Sequence, residues 1–581
     1  MRKILGAIIA VLMLAGAAAA GTALNLMPGT STTVNGNMYS SLNAAVAAAA
    51  GLTQATVEIT GPIPVIANLT VPANVGLRVL QGGMITNSVS APDPTLAIGG
   101  AFSAPLKLVL KGFTDGTVTF GAGSVQQIDP LWFGADPTDT QFSDGAIQNA
   151  IDSAPASGGT VFLPAGKYLM DPNGYLLSLK TGIDFYGAGD STVLDATNAT
   201  NGTNGIFPNG HQLISNEQFS NGHSGSNIYL HDMAVEGPCT SSTAVTTTQI
   251  NDGVAINFTG SVVAYNNIKI SRLHITGFCG GSIVVQSGST RVDNVQISHN
   301  TISGGAFDGI NLNTAAFTNG VIEDNYISDM GGNGIEGPAS GDVIARNLVL
   351  GAKQVGILVS NYGGGEIIRA QILHNTVSAC GVTNNHAGIE VEGSGCLISG
   401  NEVDGCAGFG IAAGYSSPNS GLNAIITNNI LHGNSTSTAT PRTDLYIEPS
   451  ATNTLIEGNT LWADGSTVPT YSIYISATAS GTVLDSNLIN GTYGSGSGAA
   501  SIDDLGSSTW ANQNGIIQRS DFYPIVSAVG SLPVCSASLL YVHRGVNNCA
   551  AAPTAGGTCT AGGSYDAEVI CNGSAWMETG R

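Results

Sequence analysis

Apolar and polar residues alternate along most of this chain in short bursts, and from the middle onward the bursts fall into a strict phrase. Between Ile297 and Ile489 the order aliphatic, two variable residues, asparagine, one variable residue, aliphatic occurs eight times, as in Ile297-Ser-His-Asn300-Thr-Ile302. The asparagines are Asn300, Asn325, Asn347, Asn375, Asn401, Asn429, Asn459 and Asn487, at intervals of 22 to 30 residues. A fixed period of that length is the mark of stacked coils. After Asn300, Asn325, Asn347 and Asn401 a Gly-Ile pair follows, beginning at Gly309, Gly334, Gly356 and Gly410. Each coil therefore holds at least three apolar strands that are too short for helices and rich in Val and Ile. The pattern predicts an all-β parallel solenoid in which every strand pairs with its copy one coil away and aliphatic side chains stack inside. A buried asparagine at one turn would bond to backbone and to the asparagines above and below, satisfying polar groups otherwise orphaned.

Two helices interrupt this pattern. One is expected over Ser41 to Ala50, closed by Gly51. In the other, Ser143 would cap a segment that sets Ile147, Ala150, Ile151 and Ala154 on one face and ends at Gly158-Gly159. That amphipathic helix would cover the open end of the solenoid core, where a bare end invites another sheet edge. The expected division is a signal segment over 1–20, a small N-terminal β module over 21–129, the parallel β-helix over 130–510, and a Cys-rich C-terminal β module over 511–581.

Composition narrows the partners. Glycine at 79 residues, 43% apolar residues and 10% charged residues fit a turn-dense β protein and exclude disorder. Acidic residues outnumber basic ones 39 to 17, for a formal charge of -22, and nucleic acid is excluded because phosphate binding needs clustered Lys and Arg. A polyuronate would be repelled unless calcium or a local basic patch intervened, so a neutral or weakly charged glycan is electrostatically easier. Arg2 and Lys3 precede an apolar run from Ile4 to Leu14, and Ala17 to Ala20 offers a small-residue cleavage site. This reads as a secretory signal peptide, giving a secreted or cell-surface protein with no membrane segment after cleavage.

Cysteine spacing agrees with export. Cys239 and Cys279 each lie six residues after Met233 and Leu273, which fill the asparagine slot of earlier coils, while Cys380 and Cys406 each lie five residues after their own asparagine. Equivalent positions in adjacent coils stand ~4.8 Å apart, inside the disulfide window. Bridges Cys239–Cys279 and Cys380–Cys406 are expected, with stacked free thiols as the alternative. Cys535, Cys549, Cys559 and Cys571 could form two bridges in any of three connectivities, which leaves Cys396 odd.

The run Trp132-Phe-Gly-Ala135, the Asp144 to Ala154 helix, Gly158-Gly-Thr-Val-Phe-Leu-Pro-Ala-Gly-Lys-Tyr168 and Tyr186-Gly-Ala-Gly-Asp190 resembles the opening of right-handed β-helix proteins of the pectate-lyase superfamily. Within it, the chain looks like the branch shared by rhamnogalacturonase and epimerase-like domains and phage tailspike depolymerases, over about Asp129 to Asn490. The resemblance implies a fold and a polysaccharide partner, not a reaction, since the superfamily includes hydrolases, lyases, epimerases and inactive binders. From Tyr523 onward the chain resembles the small β modules that end tail-fibre-like proteins, which implies a cap, homotrimerisation or attachment role; a disulfide-stabilised hairpin is the alternative.

The resemblance places substrate along the outer face of one sheet, and the turn arithmetic puts the Gly-Ile strands there. Alternation along a strand points Ile310 and Leu312 inward and Asn311 and Asn313 outward. The same rule exposes Glu336, Leu358, Glu390 and Glu392, while Asp308, Asn333, Lys353 and His386 would rim the groove. Paired carboxylates are what glycoside hydrolysis requires, and Glu336 and Glu390, two coils and ~9.6 Å apart, suit an inverting mechanism, with Asp308 alongside. No cofactor is required for that chemistry. The rival reaction, β-elimination from a uronate, would use Lys353 or Tyr362 as base, with calcium held by the carboxylates. A non-catalytic surface adhesin or matrix protein is the third reading. Of the motifs expected for polygalacturonases only the fragment Asn251-Asp252-Gly253 is present. No Cys/His cluster has zinc spacing.

Overall fold

A computed structural model of the chain describes residues 32–89, 92–114, 116–172, 177–198, 212–216, 225–244, 253–260, 265–287, 292–312, 317–318, 320–337, 341–360, 369–383, 386–414, 422–437, 442–464, 468–494, 501–506, 510–511, 543–549, 565–571 and 574–578. The expected signal segment, Asn251, Asp252, Asn313, Tyr362, Cys535 and Cys559 lie outside them. Among the described residues no helix is long and apolar enough to cross a membrane. The chain divides into two compact units, Met1–Asn198 with Ile214–Ala234, and Ala199–Leu213 with Val235–Arg581.

In the second unit the asparagine phrase builds the turns of a parallel β-helix. The side-chain amide of each ladder asparagine, from Asn300 to Asn459, donates to the Oδ1 of the next at 2.9–3.0 Å. The same Oδ1 accepts the backbone N–H of the preceding asparagine, as Asn375 Oδ1 does from Asn347 at 2.9 Å. The remaining amide hydrogen goes to an aliphatic carbonyl of the coil before, such as Ile344 O from Asn375. Every member is 5% exposed or less. The residue just before each asparagine takes the left-handed conformation that folds the chain over it, with φ of 58° at His299, 56° at Asp324, 55° at Arg346 and 54° at His374. His299 and His374 are thus turn residues, and Arg346 uses its outward position to bind Asp324 at 2.9 Å.

The ladder fixes register, and register builds the core. Ile322, Ile344, Ile372, Ile398, Ile426, Ile456 and Leu484 form one inward column, and Ile302, Ile327, Val349, Val377, Val403, Leu431, Leu461 and Ile489 a second. A third runs through the Gly-Ile strands as Ile310, Ile335, Ile357, Ile389, Ile411, Leu445 and Ile473. Glycine precedes this column because the chain there presses on the second: a Cβ at Gly334 would lie 2.4 Å from Val349 Cγ1.

In the first unit, residues 32–120 form a smaller parallel stack of their own. Thr32–Asn35 pairs with Ala55–Ile59, that strand with Val75–Val79, and Pro62–Val65 with Met84–Asn87, all parallel. The expected first helix spans Leu42–Ala50, with Ser41 Oγ accepting from Ala44 N at 3.2 Å. The second spans Asp144–Asp152, and Ile147, Ala150 and Ile151 are buried as expected. Ser143 does not cap it: its hydroxyl is taken by the preceding loop, where it accepts from Asp136 N at 2.9 Å. Near the C-terminus His543–Cys549, Tyr565–Cys571 and Trp576–Glu578 form an antiparallel sheet.

Cys239 and Cys279 are bridged, with Cα atoms 5.2 Å apart. The expected Cys380–Cys406 bridge is not formed. Both thiols are free and buried, and each leans toward a carbonyl of its own coil, Ser378 O at 3.4 Å and Asp404 O at 3.7 Å. The two thiols are in hydrogen-bonding contact, which with burial raises the Cys406 thiol well above its usual range. Cys396 is the odd thiol; it fills a buried slot, and burial pushes it up to about 11.

Two outcomes follow for stability. Asn375→Ala should lower the unfolding free energy by ~3 kcal/mol or more, since it orphans buried groups of Asn347, Ile344 and Asn401 at ~1–3 kcal/mol each; Gln371→Ala, outward on the same coil, should change it by under ~0.5 kcal/mol. Equal losses in urea melts would mean that the ladder is not what holds register. The second outcome concerns Asp444, buried where it accepts from Asn434 Nδ2 at 3.0 Å and from the Tyr493 hydroxyl at 2.9 Å. Burial holds this carboxyl protonated up to about 7. A value raised in the folded state adds stability that is full below about pH 4 and is lost as pH climbs through about 7. The melting temperature should therefore fall between pH 5 and pH 8, and Asp444→Asn should shrink that fall; an unchanged gap in the variant would refute the assignment.

Candidate functional site

The second sheet of this unit carries the Gly-Ile strands, and its pairing sets one outward column: Asn257, Val284, Asn311, Glu336, Leu358, Glu390, Ala412, Tyr446, Tyr474 and Asp503. Just beyond the ends of the same strands, backbone bonds stack Glu392, Gly414, Glu448 and Ser476 in the next column. Glu336 and Glu390 thus stand two rungs apart with Leu358 between them, as the repeat arithmetic required.

Around Glu336 the groups form a closed set. Asp308 is fully buried, and its carboxyl accepts from Asn311 Nδ2 at 2.8 Å and Asn333 N at 2.7 Å. Glu336 Oε2 accepts from Asn333 Nδ2 at 2.7 Å and Asn311 Nδ2 at 3.4 Å. Burial first, then the charge and hydrogen bond of Glu336, drive the Asp308 carboxyl well above its usual range. Asp308 therefore lies buried beneath Glu336 and not on the rim where its place before the strand suggested. Asn333 is buried too, its Oδ1 accepting from Val355 N at 2.9 Å.

The second cluster lies around the small rung of Ala412 and Gly414. Glu390 is 9% exposed, and His386 Nδ1 stands 4.0 Å from its Oε2. Glu392 is half-buried. Across the small rung stands half-buried Glu448, two rungs and ~9.6 Å from Glu392 along the backbone. Burial, then the neighbouring carboxylates Glu390 and Glu392, push Glu448 up to about 8, so it keeps its proton at neutral pH. Beside it the aromatic rings gather: Phe409 and Tyr446 at 4.6 Å, Tyr446 and Tyr474 at 5.6 Å, Tyr471 and Tyr474 at 5.5 Å, all tilted rather than stacked. Burial raises all three phenols, with Glu448 adding to the effect at Tyr446 and Asp503 at the other two.

Of the residues expected from sequence, Asn311, Glu336, Glu390, Glu392 and His386 thus come onto one face. Lys353 is drawn away, its ammonium donating to the Ser241 carbonyl. Among the described residues no group of three His, Cys, Asp or Glu side chains has the placement to hold a metal ion. Sequence reasoning missed Glu448, Tyr446, Tyr474 and Phe409. In that coil Asp444-Leu445 replaces Gly-Ile, yet Tyr446-Ile447-Glu448 follows Leu445 just as Glu390-Val391-Glu392 follows Ile389.

The family described as "Right handed beta helix region" matches residues 252–422 and 368–521. No curated protein matches the chain in sequence. Among solved structures it is similar to the A-module of the Azotobacter vinelandii mannuronan C-5 epimerase AlgE6, with a TM-score of 0.51 and 18% identity, over 67% of this chain and 98% of that one. It is also similar to the catalytic unit of the GH87 alpha-1,3-glucanase of Streptomyces thermodiastaticus strain HF3-3, with a TM-score of 0.46 and 17% identity, over 68% and 71% of the two chains. A third is tailspike protein 3 of bacteriophage CBA120, with a TM-score of 0.40 and 12% identity, over 72% and 65%. With its asparagine ladder, three inward aliphatic columns and parallel rungs, the chain folds as a right-handed parallel β-helix.

Proposed function

We propose that this protein is an exported carbohydrate-active enzyme that binds a polysaccharide along the Glu336–Tyr474 face and hydrolyses its glycosidic bonds. The observation that carries the reading is Glu448, a carboxyl kept protonated at neutral pH by burial and by two neighbouring carboxylates. Glycoside hydrolysis needs one carboxylic acid to protonate the leaving oxygen and one carboxylate to activate water or attack the sugar. Glu448 fits the first role and Glu390 the second. A carboxylic acid that its surroundings keep neutral is the usual source of the acid in such a pair. Glu336, held by Asn311 and Asn333, offers a fixed acceptor to sugar hydroxyls one end of the groove away, and His386 sits beside Glu390. The rung between Glu390 and Glu448 is Ala412, which is 1% exposed, so the flanking side chains close over it.

The Cys239–Cys279 bridge supports export, because such bonds persist in oxidising compartments. Of the two bases expected for elimination, Lys353 is committed to a carbonyl and Tyr362 lies outside the described residues.

Incubation with a glycan panel should release new reducing ends without the ultraviolet absorbance of unsaturated products. Glu448→Gln and Glu390→Gln should each cut kcat by about a hundredfold or more with the melting temperature unchanged. The parent's kcat/KM should fall as pH rises past about 8, where Glu448 loses its proton. Unsaturated products would turn the reading to a lyase, and retention of glycan with no product at all would turn it to an adhesin.

A further inference from the structure

We infer that the groove takes an uncharged pyranose polymer, laid along the solenoid axis with sugar faces resting on Tyr446 and Tyr474, and that it rejects polyuronates. The inference rests on this face being the working site, as proposed above.

The first support is the local charge. The carboxyl groups on this face are Glu336, Glu390, Glu392 and Asp503, with protonated Glu448 among them, from four alternate rungs. Among the described residues the turns that lead into these strands hold two cations, and both are spent on backbone. Lys353 donates to the Ser241 carbonyl, and Arg442 donates to Ser435 O at 3.2 Å and Val468 O at 2.7 Å. A polymer with a carboxylate on every sugar would set like charges against this row inside a half-buried groove, where salt screens poorly. Recognition of uronates calls for the opposite, a guanidinium fork or a cation on the face.

The second support is the aromatic geometry. The Phe409, Tyr446 and Tyr474 rings are tilted against one another by 44° and 56°, and each is half-buried, so none covers its neighbour's face. In the first unit Tyr186 and His231 stack within 3°, their centroids 4.9 Å apart, and Tyr229 lies 3.9 Å from His231. There the faces that meet are spent on one another. The tilted set instead presents apolar faces next to hydroxyls and carboxyls, which suits the apolar face and polar rim of a neutral sugar ring. The rings follow the same column as Glu390, so a chain in contact with them runs from rung to rung past Glu448.

Calorimetry of the full chain against an α-glucan, a β-glucan and a galactomannan, and against polygalacturonate and alginate, tests this at low salt and at about 0.3 M NaCl. At least one neutral polymer should bind with the same Kd at both salts, and Tyr474→Ala should weaken it about tenfold with an unchanged melting temperature. Tighter binding of a polyuronate than of every neutral polymer overturns the inference. So does failure of all neutral polymers to bind, or parent-like affinity in both Tyr446→Ala and Tyr474→Ala. A neutral polymer bound but never cleaved would sink the hydrolase reading and leave this one standing, whereas cleavage of polyuronate alone would do the reverse.

Discussion

The asparagine ladder is the constraint on which the rest of the second unit depends. A β-strand slipped by one residue turns its inward side chains outward. The two- and three-residue strands of these coils have little pairing of their own to resist such a slip. The ladder supplies the resistance, because each amide must meet the carbonyl oxygen of the next asparagine and a backbone carbonyl of the coil before. Moving one coil by a residue would leave several buried polar groups without partners. Register fixed in this way is what lets Asn311, Glu336, Glu390 and Tyr446, 25 to 135 residues apart in sequence, share one column.

A rigid interior also explains how carboxyl groups can be gathered at one place on an acidic protein. Each outward position is set by its neighbours along the column, and the column does not rearrange to relieve repulsion. Carboxyls buried close together hold their protons more tightly, as the upward shifts at Asp308 beneath Glu336 and at Glu448 beside Glu390 and Glu392 show. The two outcomes differ in access. Asp308 is sealed in, while Glu448 is half-buried.

Much of this was legible in the sequence because the repeat is written in residues with one physical use. Asn at the inward turn, Ile and Val at alternate strand positions and Gly where two columns press together announced the fold, the ladder and the outward placement of Glu336 and Glu390. What the repeat omitted was not legible. The stack over 32–120 lacks the asparagine phrase, so its parallel pairing left no periodic trace and the segment read as a cap or a separate β module. Ser143 looked like a helix cap because the competing loop amide, Asp136 N, is a tertiary partner. Cysteines at matching slots predicted two bridges, but equal height on adjacent rungs does not distinguish the bridged pair Cys239–Cys279 from the free thiols of Cys380 and Cys406.

The candidate site was missed in part for a related reason: it sits where the repeat is broken. Gly-Ile gives way to Asp444-Leu445, and the bulky outward residues of neighbouring coils give way to Ala412 and Gly414. An interior that must repeat cannot carry chemistry, since every coil would carry the same. Specific function has to reside in departures from the pattern, and here several coincide within two rungs: a rung of small residues, a carboxyl that keeps its proton across it, and tilted aromatic rings beside it. A buried aspartate in the glycine column of that coil belongs to the same break, for it ties the strand to Asn434 and Tyr493 where the glycine contact with the next column is lost.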